Sequence, residues 1–223
     1  MPAVGPAKTF SDRVLRRARR AGLAPAPALL DALEQYVRLL GRWNAKINLT
    51  AFQLADPTDE AIDRLLIEPL VAARYLPVRP FSLIDIGSGS GSPGIPLRLA
   101  ATVATLTLVE SKTRKAVFLS EAVRHLALVG TRVEAERFER LLTRPELHEA
   151  FDVMSLRAVR VEPRTLLTLQ AFLKPRGQIF WFIGANSEPQ EDGTFPLART
   201  ATHPLVENLR SRLVILEKQS TGR

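Results

Sequence analysis

The sequence contains no cysteine. Disulfide staples and thiolate metal clusters are therefore both excluded. Histidine is scarce: His125, His148 and His203 are scattered and share no ligand spacing. No metal site is expected. No apolar run approaches the ~18 residues a membrane-spanning helix needs, and the N-terminus lacks the apolar core of a secretory signal. A soluble, cytoplasmic protein is the expectation. Negative charge is also in short supply, with 23 Asp and Glu against 31 Lys and Arg, a net charge of +8. The excess is concentrated: residues 1–50 hold nine basic residues against Asp12, Asp31 and Glu34. Such asymmetry points to a polyanion partner, most simply nucleic acid.

What is present is organised around residues 81–96. An apolar run, Phe81 to Ile86, has strand character. It breaks into Gly87, Gly89 and Gly91, and then Pro93 and Ile95 to Ala100 read as a helix start. Strand, glycine turn and helix together make a nucleotide-type ligand site, because glycines let a ligand approach the main chain. Gly89-x-Gly91-x-x-Gly94 matches the dinucleotide fingerprint as a string. The turn, however, starts at Gly87, and Asp85 stands two residues before it. A carboxylate there disfavours a pyrophosphate and favours a cationic ligand, such as the sulfonium and ammonium of S-adenosylmethionine. A second strand, Thr105 to Val109, leads into Glu110, 23 residues after Gly87. A carboxylate at that spacing can accept hydrogen bonds from ribose hydroxyls or cap the helix that follows.

The rest of the chain reads as alternating strands and helices. Residues 1–9 read as disordered, and Ser11 as the cap of a short helix to about Ala21. On that helix Arg13, Arg16, Arg17 and Arg20 share a face. Ala28 to Gly41 has an apolar helical stripe through Leu33, Tyr36, Val37 and Leu40. Thr58 to Leu76 is expected to be a helix bent by Pro69. Further helices are expected over 112–128 and 161–173. Strands are expected near 132–135, 151–155 and 178–183, then a loop over 185–197. A terminal pair over 198–203 and 211–218 should form a hairpin-like addition at one sheet edge. The alternation implies an α/β fold with a parallel sheet. The division expected is a basic helical extension over 1–77 and a nucleotide-binding domain over 78–223.

Four segments resemble the ribosomal RNA small subunit methyltransferase G family, also called glucose-inhibited division protein B. They are Arg42-Trp43-Asn44 with Ile47-Asn48-Leu49-Thr50; Ile84 to Gly89 with Gly91-x-Pro93-Gly94-Ile95-Pro96-Leu97; Leu108 to Ser111 with Lys115 and Phe118-Leu119; and Phe151-Asp152-Val153 with Arg157-Ala158. The resemblance implies a class I S-adenosylmethionine-dependent methyltransferase with a Rossmann-like sheet. It implies methyl transfer to N7 of a guanine in 16S rRNA, with naked RNA or the small subunit as partner. Guanine N7 carries an in-plane lone pair, so no general base is required. A metal is not implied, and a monomer is expected.

Roles follow from the resemblance. The backbone of Gly87, Ser88, Gly89 and Gly91 would cradle the methionine part, with Asp85 near the cofactor's positive end. Glu110 would take the ribose hydroxyls, and Glu136 and Arg137 would border the adenine. Arg157 would position the cofactor carboxylate or an RNA phosphate. Arg13, Arg16, Arg17, Arg20, Arg42 and Lys46 would contact RNA phosphates. Trp43 is expected to pack rather than stack on a base. The chain departs from the family pattern at Leu65, Glu68-Pro69, Ser92, Leu156 and Ile183. These departures keep open a divergent or non-catalytic RNA-binding member, and the glycine string alone would also suit a nicotinamide-dependent oxidoreductase.

Overall fold

A computed structural model describes residues 9–157, 161–185 and 196–220. Residues 1–8, Ala158 and most of the expected loop over 185–197 lie outside the described residues. Seven strands form one sheet in the order β3-β2-β1-β4-β5-β7-β6. They are β1 (Phe81–Ile86), β2 (Ala104–Val109), β3 (Thr131–Glu134), β4 (Phe151–Arg157), β5 (Leu173–Ile183), β6 (Leu197–Val206) and β7 (Ser211–Lys218). The first five pair in parallel, and β7 runs antiparallel to both β5 and β6. The terminal pair thus forms the expected hairpin at one edge.

Both faces of the sheet are covered, and β1 shows why its run is nearly all apolar. Leu83 belongs to a core cluster with Leu97, Phe118 and Leu119, while the next residue, Ile84, joins Met154, Leu166 and Phe172 on the other face. The chain order reverses between β1 and β4, so a crevice opens beyond their carboxyl ends. The helices α5 (Gly94–Ala100) and α6 (Thr113–His125) pack on one face, with α7 (Phe138–Leu141) and α8 (Pro163–Leu169) between later strands.

The N-terminal helices share this core. Helix α1 (Phe10–Arg20) is capped by Thr9 rather than Ser11: the Thr9 hydroxyl accepts from the Asp12 amide, and the Asp12 carboxylate accepts from Thr9. Ser11 instead donates to Glu34 at 2.5 Å. Helix α2 (Pro27–Asn44) buries Leu33, Tyr36, Val37 and Leu40 in the same cluster as Phe118. The apolar core therefore runs across residue 77.

The expected helix over 58–76 is broken into α3 (Asp59–Ile62), a π turn over Asp63–Ile67, α4 (Glu68–Ala72) and a 3₁₀ turn ending at Tyr75. Pro69 is part of the cause, since it has no amide to give the Leu65 carbonyl. The Glu68 amide reaches back to Asp63, skipping Arg64 as well. Two carbonyls are left bare in mid-helix, and two distant side chains fill them. Arg157 donates to the Arg64 carbonyl at 2.6 Å, and Ser92 donates to the Leu65 carbonyl at 2.9 Å. Ser92 and Glu68-Pro69, both departures from the family pattern, thus fit each other.

Asp152 of β4 ties the amino edge of the sheet together. It accepts from the Ser82 amide and hydroxyl at 2.9 and 2.8 Å, from Lys174 at 2.8 Å and from Arg79 at 2.8 Å. Burial opposes its ionisation, but the bonds from Lys174, Ser82 and Arg79 outweigh burial and hold the carboxyl well below the usual range. A depressed carboxyl stabilises the fold above its unfolded pKa and loses that contribution as pH falls. Asp152→Asn is expected to cost about 2–3 kcal/mol at pH 7. Urea titrations should show the gap from wild type intact above about pH 5 and narrowing below about pH 4. A gap independent of pH would assign the loss to packing.

Candidate active site

The turn after β1 is built by its own hydrogen bonds. Gly87, Gly89 and Gly91 have φ of 70°, 51° and 90°, which side-chain-bearing residues rarely adopt. The Gly87 and Ser88 amides both donate to the Val109 carbonyl, at 2.9 and 3.0 Å. Gly89 donates to Glu110 Oε2 at 3.0 Å, and Gly91 to the Ser88 carbonyl at 2.6 Å. All four of these donors are therefore engaged within the protein. Among the described residues no donor reaches the Gly87 or Gly89 carbonyl. Acceptors at close approach suit a cation and do not suit a pyrophosphate. Gly94 is a glycine for a different reason, since a Cβ there would stand 2.9 Å from the Asp85 carboxylate.

Asp85, near the end of β1, is buried. The parallel register sets it beside Ser155 of β4, whose hydroxyl donates to Oδ1 at 2.5 Å. Burial raises the carboxyl to about 6 in spite of that bond and of nearby Arg157. The other oxygen, Oδ2, has no partner among the described residues. Arg157, the last residue of β4, is half-buried with its Nε and Nη2 enclosed, and desolvation lowers its pKa against the pull of Glu68. Its Nη1 bonds Glu68 Oε2 at 2.7 Å as well as the Arg64 carbonyl, and the guanidinium lies 4.6 Å from the Phe182 ring centroid. Its Nε and Nη2 are unpartnered among the described residues. Glu68 is shared with Arg64, at 3.1 Å.

Glu110 sits at the tip of β2, where the ribose acid was expected, but the expected N-cap role is not its own: the N-cap of α6 is Lys112, without a side-chain cap. Oε2 holds the Gly89 amide, and Oε1 accepts from the Lys112 amide at 2.8 Å, at the start of α6. Glu136 and Arg137 follow β3 on the same carboxyl edge. Arg137 is exposed, and Glu136 forms a loose pair with Arg140 at 3.9 Å. Trp43 packs edge-on against Phe118 at 6.0 Å, as expected of a packing residue.

The cationic face of α1 is the main correction. Arg13 bonds Asp56 at 2.8 Å and Asp59 at 3.2 Å, Arg16 approaches Asp59 at 3.9 Å, and Arg17 grips Asp63 and Asp59. Arg17 and Asp63 are nearly enclosed, with 10% and 1% of their side chains exposed. Arg13 and Arg17 thus tie α1 to the 56–63 segment and are occupied by carboxylates, whereas Arg16, 34% exposed, has only its 3.9 Å approach to Asp59. Arg20, Arg42 and Lys46 are exposed.

Sequence reading missed Tyr36, Ser155, Arg64 and Glu68. The Tyr36 hydroxyl donates to the Ser90 carbonyl at 2.8 Å, tying α2 to the glycine turn. Burial raises its pKa further above an already basic range. A phenol within an apolar stripe was the available signal, since a buried hydroxyl needs a partner.

A family model described as GidB, rRNA small subunit methyltransferase G, matches residues 29–194. The chain belongs to this family. Among curated relatives, ribosomal RNA small subunit methyltransferase G 1 of Syntrophobacter fumaroxidans is 32% identical over 196 residues, covering 85% of this chain and 84% of its own. The Roseiflexus protein named ribosomal RNA small subunit methyltransferase G is 32% identical, covering 92% and 83%. The Dichelobacter nodosus protein of that name is 44% identical over 118 residues, about half the length of each (53% and 53%). Solved structures are more distant. The putative methyltransferase yhhF from Escherichia coli gives a TM-score of 0.56 at 14% identity, over 69% of this chain and 87% of that one. A SAM dependent methyltransferase from Aquifex aeolicus gives 0.53 at 11%, over 69% and 90%. At such identity these fix the fold, a class I Rossmann-like methyltransferase sheet. The rRNA small subunit methyltransferase G segments now have physical meanings. In the Trp-Asn…Asn-Leu-Thr segment, Asn44 Oδ1 accepts from the Leu49 and Thr50 amides, both at 2.9 Å.

Proposed function

We propose that the chain transfers the methyl group of S-adenosylmethionine to guanine N7 of 16S rRNA, with the cofactor seated over Gly87–Gly91. The family makes it an S-adenosylmethionine-dependent rRNA methyltransferase. One observation carries the assignment of the site. A buried carboxylate oxygen of Asp85 and buried guanidinium N–H groups of Arg157 stand unpartnered among the described residues, at the ends of adjacent strands. Orphaned buried polar groups are costly, and a ligand bearing both an ammonium and a carboxylate satisfies them together. The methionine end of the cofactor is such a ligand. Glu110 retains free lone pairs for ribose hydroxyls, and the Glu136–Arg137 turn borders the adenine. The cofactor supplies an electrophilic methyl on sulfur. The protein's part is to align N7 with it and exclude water.

No proton leaves N7 before attack, so pH should act on cofactor affinity rather than on the transfer step. An ammonium beside Asp85 favours the ionised carboxylate. Affinity should therefore fall several-fold from pH 7 to pH 5, through the raised value of about 6. At saturating cofactor and RNA, the single-turnover rate should carry no general-base limb between about pH 6 and 9. Calorimetry and rapid quench respectively measure the two. A rate rising tenfold per pH unit would overturn the N7 assignment. The decisive assay incubates the protein with labelled cofactor and undermodified 16S rRNA and reads digested RNA by mass spectrometry. The product expected is 7-methylguanine; methyl on an exocyclic amine, or none, would refute the reading.

A further inference from the structure

The clamp formed by Asn44 folds residues 46–48 back beside the start of α6, and Trp43 against Phe118 holds the two helices together. A shallow cavity of ≈ 480 Å³ lies in this seam, lined by Lys46, Ile47, Asn48, Lys112, Arg114 and Lys115 among others. Four of those side chains are cationic, and no carboxylate lines the cavity. Lys46, Lys112 and Arg114 are exposed and Lys115 is half-buried. Among the described residues, none of the four side chains makes an ion pair or hydrogen bond. The contrast with α1 is direct, for there Arg13 and Arg17 are matched by three aspartates. Here the one acid close in sequence, Glu110, is buried and its two oxygens are bound to the Gly89 and Lys112 amides. Helix α6 has no acid in its first turn and no side-chain cap, which adds potential of the same sign.

Unrelieved like charges in one hollow repel one another, and an anionic partner reverses that cost. The hollow also lies beside the cofactor turn: one carboxylate holds both the Gly89 amide and the Lys112 amide. We propose that this cavity seats the phosphodiester backbone of the RNA beside its target base, with Lys46, Lys112, Arg114 and Lys115 as phosphate contacts and Asn48 as a polar neighbour. The inference rests on the methyltransferase reading and names where the substrate strand lies. Such contacts position RNA without reading its sequence.

The test uses the full chain carrying Lys112→Gln, Arg114→Gln and Lys115→Gln, and a second variant, Lys46→Gln, from the opposite wall. Affinity for a 16S rRNA fragment is followed by fluorescence anisotropy across a salt series. The triple variant should bind at least tenfold more weakly at low salt. Its log–log salt slope should fall by about 2, at ~0.7 per phosphate contact, and Lys46→Gln should lower it by about 0.7. Calorimetric affinity for S-adenosylmethionine and the melting temperature should hold. Unchanged RNA affinity and slope in both variants would overturn the proposal. So would displacement of RNA from the wild type by polyglutamate at equal charge concentration, which would make the hollow a seat for acidic protein. Methyl transfer by wild type to the same RNA is scored in parallel. Transfer with an unaltered slope removes only the phosphate seat, whereas cofactor binding with no transfer removes the parent reading and leaves the slope to judge the seat.

Discussion

Gly89→Val is expected to lower S-adenosylmethionine affinity by more than about 100-fold, or ~2.8 kcal/mol, while the protein stays folded. The reason lies in what surrounds the position. A Cβ at Gly89 would meet only the Gly87 carbonyl, at 3.6 Å, so the protein has room for it. That room is the space a ligand would fill. The φ of 51° makes a branched residue strained by roughly 1–2 kcal/mol, a shift of a few degrees in melting temperature. Gly94→Ala makes the contrast, because its Cβ would run into Asp85 and damage folding and binding together. Calorimetry with thermal melts separates the two. A Gly89→Val protein that binds cofactor normally would remove the glycine turn from the site.

Arg17→Ala should act on stability rather than on RNA. Asp63 is 1% exposed and depends on Arg17 for its countercharge. Breaking a buried pair from one side costs about 3–5 kcal/mol, because the other charge is left uncompensated. For a chain of this size that is a fall of about 10 °C or more in melting temperature. Arg17→Ala with Asp63→Leu should recover much of the loss, since an apolar replacement of the pair removes the stranded charge. The salt dependence of RNA binding should match wild type in the double variant. A stable Arg17→Ala protein with a flatter salt slope would return Arg17 to the RNA surface.

Much of the fold is written in local pattern. The runs that became β1, β2 and β7 have apolar faces that leave little choice of element, and the Gly87–Gly91 turn marks the crevice directly. What escaped the sequence are features decided by partners far along the chain. The α1 arginines form a helical stripe that looks like a solvated or RNA-facing surface. Their aspartates lie more than forty residues away, and no local rule connects them. Strand β5 starts at Leu173, whereas Pro175-Arg176-Gly177 reads in sequence as a turn that would delay it to Gln178. In the structure the strand carries that segment through an irregularity opposite Phe151 and Val153, with Arg176 at φ 63°. The site was legible where chemistry and spacing coincide, at Asp85, Glu110 and Arg157. Glu68 and Ser155 were hidden because their importance comes only from the pairing of β1 with β4 and from the broken helix.

The π turn over Asp63–Ile67 makes the segment sensitive to length more than to composition. It accommodates one residue beyond what an α-helical turn would hold. Deleting Leu65, Leu66 or Ile67 would turn the Glu68–Asp63 bond into an ordinary α-helical one and rotate the Arg64 carbonyl, which Arg157 now uses, by about 100° around the helix axis relative to Glu68. Most changes of side chain leave that acceptor open. A one-residue deletion, harmless in many surface helices, would swing apart the Arg64 carbonyl and the Glu68 carboxylate that Arg157 now holds with one nitrogen.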